Sequence, residues 1–272
     1  MYREFYGFQD DPFSLTPDPR FLYLTTQHRE ALNHLLYGIR QRKGFICLTG
    51  EVGTGKTTLC RTLLRELGHG CHTALILNPM LSRTQLMRAI CEEFGVVVPG
   101  DRDRLACMTA LNEFLLHASA AGRDAVLIID EAQDMSTGCL ELVRLLGNLE
   151  TETQKLLQIV LMGQPELRAK LGQPALRQLA QRITVRFHLE PMDLDDTVGY
   201  LRHRLEVAAG RTGRVSLEAG AVREIFRYSG GTPRLVNAIG DKALLAGYVY
   251  QTRRINGRLA RLAAAELRGA TP

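Results

Sequence analysis

Four short, nearly continuous apolar runs punctuate the first two thirds of the chain. They are Phe45-Ile46-Cys47-Leu48-Thr49, Ala74-Leu75-Ile76-Leu77, Ala125-Val126-Leu127-Ile128-Ile129 and Gln158-Ile159-Val160-Leu161-Met162-Gly163. Runs of this length without polar alternation suit parallel strands buried on both faces. Between them, apolar residues return every three or four positions, which predicts helices over 59–67, 84–94, 105–118 and 138–149. Residues 100–104 read as a polar loop. An earlier helix is marked by Ala31, Leu32, Leu35, Leu36 and Ile39, with Thr25 or Thr26 as its cap and Gly44 at its end. Strands alternating with helices predict an α/β fold, a parallel sheet with helices on its faces and ligands at the carboxyl ends of the strands. Around 187–191 the pattern turns purely helical, with helices expected over 193–209, 217–228, 233–248 and 257–267. The expected organisation is an arm plus sheet domain over 1–190 and a small all-helical lid over 191–272.

The first two dozen residues carry Tyr2, Phe5, Tyr6, Phe8, Phe13, Phe21 and Tyr23 among Pro12, Pro17 and Pro19. Prolines at this density predict an extended arm rather than a helix. So many aromatic rings are not left in water, so the arm is expected to lie across the sheet domain, as a packing strap or as a wall of an adenine pocket.

Between the first strand and its helix stands Gly50-Glu51-Val52-Gly53-Thr54-Gly55-Lys56-Thr57-Thr58, which fits the phosphate-loop pattern G-x-x-x-x-G-K-[ST] in its strand–loop–helix setting. Glycines let backbone N–H groups curl around phosphate oxygens, and the helix N-terminus adds partial positive charge. Lys56 is placed to reach the β- and γ-phosphates, and the Thr57 hydroxyl to ligate Mg²⁺. The loop implies binding of a nucleoside triphosphate, ATP with Mg²⁺ being the expected pair.

Two acids follow the third apolar run. Asp130 ends the strand, the place for a carboxylate that positions Mg²⁺ through water, and Glu131 is suited to polarise an attacking water as general base. Gln164 ends the fourth run, and its amide would meet the γ-phosphate or the water if that strand lies beside the phosphate-loop strand. The spacing leaves room for a strand inserted between those bearing the phosphate loop and the acids. Arg177, Arg182 and Arg186 fall between the last sheet elements and the helical domain. An arginine presented there by a neighbouring subunit would stabilise γ-phosphate charge, with Arg182 the first choice. Gly230-Gly231-Thr232-Pro233-Arg234 reads as a turn into a helix with proline at its start, which aims Arg234 from the lid toward the nucleotide.

Composition changes this picture little. The chain has 272 residues, 45% hydrophobic and 23% charged, with a formal net charge of +5, which suits a globular protein and permits an acidic partner without requiring one. The N-terminus lacks the apolar core of a signal peptide, and no run approaches the length of a membrane span. The six cysteines form no C-x-x-C pair and read as reduced core thiols of a cytoplasmic protein, not as zinc ligands. A basic tail of Arg253, Arg254, Arg258, Arg261 and Arg268 faces a single acid, Glu266, and is suited either to a solvated helix face or to phosphates.

Taken together, Gly50 to Thr58, Asp130-Glu131, Gln164, Arg182 and Gly231-Thr232-Pro233-Arg234 resemble the AAA+ ATPases. Phe5-Tyr6-Gly7-Phe8, Pro12-Phe13, the stretch from Thr16 to Tyr23, His28 to Leu32, Asp130-Glu131-Ala132-Gln133 and Gly163-Gln164-Pro165-Glu166-Leu167 are similar, more narrowly, to the ExeA/GspA family over essentially the whole chain. The resemblance implies a P-loop AAA+ sheet domain with a helical lid, ATP hydrolysis, and a cytoplasmic homo-oligomer, ring or filament. It also implies an inner-membrane partner of the GspB/ExeB type and work in assembling a type II secretion secretin or a related pilus machine. Full-length members continue into a membrane span and a peptidoglycan-binding domain. The sequence stops at Pro272 with neither, so direct peptidoglycan binding is not expected of it. Similar short ATPases regulate transposition on DNA, which is the alternative function. A nucleotide-gated scaffold without turnover is a third, and Glu131 speaks against it.

Overall fold

The computed structural model describes residues 2–14, 18–98, 103–209, 215–267 and 269. The expected loop residues 100–102, Thr16 and Pro17 of the arm motif, Arg268 and Pro272 lie outside them. In chain order the elements are α1 (Tyr2–Tyr6), α2 (Thr26–Arg40), β1 (Phe45–Gly50), α3 (Lys56–Leu67), β2 (Cys71–Ile76), α4 (Arg83–Glu93), α5 (Arg104–Ala120), β3 (Asp124–Ile129), α6 (Thr137–Leu146), β4 (Gln158–Gly163), α7 (Glu166–Leu171), α8 (Arg177–Arg182), β5 (Ile183–Leu189), α9 (Leu194–Ala209), β6 (Ser216–Leu217), α10 (Ala219–Ser229), α11 (Pro233–Val249), β7 (Arg254–Ile255) and α12 (Gly257–Leu267). Among the described residues no helix is long and apolar enough to cross a membrane. The chain divides into two units. One holds 28–52 and 59–189, the other 1–27, 53–58 and 190–272.

The first unit is built on a five-stranded sheet in the order β2-β3-β4-β1-β5, every adjacent pair parallel. The apolar runs explain why both faces are covered. Alternate residues point to opposite sides, so Phe45, Cys47, Leu127, Ile129, Ile159 and Leu161 join one core with α4, α5 and α6. Ile46, Leu48, Val126, Ile128, Val160 and Met162 join another with α2 and α3. β4 is the strand expected between those carrying the phosphate loop and the two acids. Burial pushes the Cys47 thiol up to about 11 and the Cys60 thiol up to about 12, the behaviour of core cysteines.

The strand β5 was not expected. Thr184 and Arg186 are exposed at the sheet edge, so the strand lacks the continuous apolar signature of β1, β3 and β4. It pairs with β1 on the side opposite β4. Arg182 therefore ends α8 with a whole strand still to follow, and Arg186 lies within that strand rather than between sheet and lid.

The second unit corrects the reading of the arm. The proline-free start forms a helical turn, α1, because the prolines begin only at Pro12. Its aromatics do not join the sheet's cores. Tyr6, Phe8, Phe13 and Phe21 are buried in one cluster with α9, α10, α11 and α12. Glycines on the helices make room for the rings. A Cβ at Gly240 would lie 2.8 Å from Phe13, and one at Gly199 or Gly247 would strike the hydroxyl of Tyr23 or Tyr6. The Tyr6 hydroxyl donates to the Leu244 carbonyl at 2.9 Å, and the Tyr2 hydroxyl bonds Asp241. Burial, followed by that acceptor, holds the Tyr2 phenol above its ordinary range.

One buried cation fastens the arm. Arg204, 7% exposed, donates from Nε to the Pro12 carbonyl at 2.5 Å, from Nη2 to the Ser14 carbonyl at 2.8 Å, and from Nη1 to the Tyr200 hydroxyl at 3.3 Å. Its guanidinium stands 4.7 Å from the centre of the Phe21 ring. Arg204→Ala removes these donors, among them the one on the buried Pro12 carbonyl, so it should lower the unfolding free energy by about 2–4 kcal/mol in equilibrium denaturation. Arg204→Lys should recover little of that loss, since an ammonium lacks the planar fork.

Candidate functional site

Because all five strands run the same way, the carboxyl ends of β1, β3 and β4 open on one edge of the sheet. Gly50 closes β1 there, and Asp130-Glu131 and Gln164 follow β3 and β4. The condition on which the Gln164 reading depended, β4 beside the phosphate-loop strand, holds.

The loop that leaves β1 has the backbone its glycines predict. Gly53 and Gly55 adopt φ of +82° and +104°, a region that side-chain-bearing residues avoid. Glu51 and Val52 are exposed, whereas Thr54 and Lys56 are 1% and 6% exposed. Lys56 opens α3, with Thr57 and Thr58 in the first turn, so the loop feeds directly into the N–H groups of a helix N-terminus. Gly53 also lies against the start of α11. Its carbonyl accepts from the Arg234 N–H at 3.4 Å, and a Cβ on it would sit 2.8 Å from the Arg234 Cβ and 3.2 Å from the Thr232 methyl. Gly231 reaches this turn with φ +74° and so close to Met192 that no Cβ fits.

Asp130 is 3% exposed and its backbone N–H continues the ladder to the Ile76 carbonyl at 2.9 Å. Its Oδ1 accepts from the Glu131 N–H at 2.9 Å. Glu131 itself is left-handed, φ 51° and ψ 37°, a conformation unfavourable for a glutamate and found disproportionately where function holds it. Its Oε2 accepts two amide bonds, from Gln133 Nε2 at 2.8 Å and Gln164 Nε2 at 3.2 Å. Gln164 is thus brought to Glu131. Gln133 makes the shorter bond; the sequence placed it in the Asp130-Glu131-Ala132-Gln133 motif but gave it no role, because an amide in a polar turn does not name the group it will meet.

Arg182 is not brought to this group. It donates from Nη1 to the Arg144 carbonyl at 3.2 Å and to the Asn148 side chain at the end of α6, and the next residue, Ile183, pairs with Phe45 at the start of β1. It therefore stands at the amino edge of the sheet, roughly 20 Å of strand from the carboxyl edge. Arg186 donates to the Ala180 carbonyl at 2.6 Å, and Arg177 is exposed. Of the tail arginines, Arg253 donates to the Phe5 carbonyl at 3.0 Å, Arg254 pairs with Glu218 at 3.1 Å, Arg261 pairs with Glu224 at 2.9 Å, and Arg258 is exposed.

The AAA domain family matches residues 39–171. The chain is 46% identical over 269 residues to the general secretion pathway protein A of Aeromonas hydrophila, covering 99% of this chain and 49% of that protein. It thus spans about half the length of this curated relative. Among solved structures, the ADP form of the Aeropyrum pernix ORC2 protein superposes with a TM-score of 0.70 at 15% identity, over 96% of this chain and 73% of that one. Cdc6p from Pyrobaculum aerophilum gives 0.69 at 20% identity, over 95% and 71%. At these identities the two structures speak for the fold alone.

Gly53→Ala forces a methyl group into the Arg234 contact at an unfavourable φ. Equilibrium denaturation should show a loss of about 1–2 kcal/mol from the backbone conformation alone, whereas Gly68→Ala, with φ +59° but nothing within 4 Å of its Cβ, isolates the backbone cost without the clash.

Proposed function

From the AAA domain match over residues 39–171 and the 46% identity to a general secretion pathway protein A, we propose that this chain is an AAA+ protein of that type and that it binds and hydrolyses ATP as a homo-oligomer, ring or filament. We further propose that it uses the energy to assemble a type II secretion secretin, or a related pilus machine, with an inner-membrane partner of the GspB/ExeB type from the cytoplasmic side. The observation that carries hydrolysis is the strained Glu131, its carboxylate held by two amides at the carboxyl edge of a parallel sheet.

Each residue has a part in that reading. Loop 50–58 supplies backbone N–H groups to the phosphates, and Lys56 at the head of α3 reaches the β- and γ-oxygens. The residues present fit Mg²⁺: a hydroxyl at Thr57 follows the lysine, and a buried carboxylate at Asp130 ends β3. When bound, the ion neutralises charge on the β- and γ-oxygens. Glu131 takes a proton from water as its oxygen attacks the γ-phosphorus, and the bond to the bridging oxygen breaks to leave ADP and phosphate. Gln164 orients that water or contacts the γ-phosphate. Arg234, whose backbone rests on Gly53, reads the γ-phosphate from the lid, residues 191–272. Arg182 acts in trans. Its place at the amino edge, away from its own sheet's carboxyl edge, is what supports service to a neighbouring copy rather than to its own site.

Labelled ATP binding and hydrolysis test the reading. Lys56→Ala should abolish binding. Glu131→Gln should bind ATP and retain it, with turnover lowered by about 10²–10⁴-fold. Arg182→Ala should bind ATP normally yet lose hydrolysis. If it keeps normal turnover at concentrations where the chain assembles, the trans arginine is another residue. Nucleotide-dependent recovery of a single inner-membrane protein from detergent extracts is the outcome expected for the secretion role. ATP-analogue-dependent binding of double-stranded DNA with a steep salt dependence would replace that role with the transposition type.

A further inference from the structure

From the geometry behind Glu131 we infer that Gln133 is a positioning residue for hydrolysis, fixing the Glu131 carboxylate against the end of β4. The inference rests on the reading of Glu131 as the base. Gln133 follows the left-handed Glu131 by two residues, in a single 3₁₀ turn, Ala132–Asp134. Its amide is fully engaged. Nε2 donates to Glu131 Oε2 at 2.8 Å and to Asp134 Oδ2 at 3.2 Å, and Oε1 accepts the Gln164 backbone N–H at 3.0 Å. Turning the amide over would set an NH₂ group against that N–H, so the chemistry of the neighbours fixes which end faces Glu131. One side chain thereby ties the carboxylate that follows β3 to the backbone that follows β4.

Three surrounding features hold Gln133 itself in place. Lys170 on α7 donates to the Gln133 carbonyl at 2.8 Å and to the Met135 carbonyl, which pins the turn's backbone. Gly163 leaves room for the side chain, since a Cβ there would lie 2.6 Å from Gln133 Oε1. Ala132, fully buried, anchors the turn in the core. Both amide donors on Glu131 reach Oε2, and among the described residues none reaches Oε1. Oε1 is therefore the oxygen left to accept the proton. When Gln164 turns its amide to the γ-phosphate or the water, Gln133 remains as the donor that keeps the carboxylate in register. A base misplaced by an ångström loses much of its advantage, so the support bears on rate rather than on nucleotide affinity.

The test separates support of the base from support of the backbone. Gln133→Ala removes every bond of the side chain. Gln133→Glu keeps an acceptor for the Gln164 N–H but has no donor for Glu131. Both are expected to lower kcat about tenfold or more, with KM and Kd for ATP within about twofold. Gly163→Ala, which displaces Gln133 without removing it, should follow them. In a Glu131→Gln background, Gln133→Ala should cause no further loss. Turnover within about twofold of the parent in Gln133→Glu, with loss only in Gln133→Ala, would reduce Gln133 to a backbone prop and overturn the inference. So would an equal further loss in the Glu131→Gln background. Should Gln133→Ala fail to fold, Gln133→Glu, of nearly the same volume, carries the test. Normal turnover in Glu131→Gln alone overturns the base assignment and this inference with it. Lost turnover there, with both Gln133 variants unaffected, overturns this inference only.

Discussion

A sheet whose strands all run one way gathers its carboxyl ends on a single edge, and the chemistry of this protein depends on that constraint. The phosphate loop, the Asp130-Glu131 pair and Gln164 are separated by scores of residues, yet each follows a strand and emerges on that edge. The order β2-β3-β4-β1-β5 puts β4 between the strand that launches the loop and the strand that carries the acids. Gln164 is thereby delivered to Glu131, and the two cores that clamp the sheet keep these chain ends where the strands leave them. The same direction of running places Arg182, which introduces β5, at the opposite edge.

Around Glu131 local strain and tertiary support meet. A left-handed glutamate costs about 1–3 kcal/mol and persists only where its surroundings determine it. Those surroundings are its bond to Asp130, the turn held by Lys170, and the two glutamine amides on Oε2. Gly163 belongs to the same group through what it lacks, because a larger residue would occupy the space of Gln133.

The helical unit follows a different logic. Its glycines at 199, 240 and 247 are seats for rings brought by the arm, and Arg204 caps the arm's carbonyls from within. The arm is therefore part of the core that supports α11, the helix whose first turn rests on the phosphate loop at Gly53. The unit thus joins the two ends of the chain, with loop residues 53–58 between them in sequence.

The amino-acid sequence by itself determined four of the five sheet strands, the helices among them, the strand–loop–helix setting of residues 50–58 and the place of the two acids at the end of β3. Each of these is written in local terms: an unbroken apolar run, a helical period, or glycines at fixed spacing. Only the tertiary structure decided the rest. β5 was hidden because Thr184, Arg186 and His188 interrupt its apolar residues, and the arm's destination was hidden because aromatic rings announce burial without naming the surface. Arg182 could be picked as a candidate from its neighbours in sequence, but its edge of the sheet follows from strand direction. Gln133 entered only as a member of the Asp130-Glu131-Ala132-Gln133 motif, with no role of its own, since the bond that carries it across the sheet runs to the Gln164 backbone 31 positions away, and only folding brings those two together.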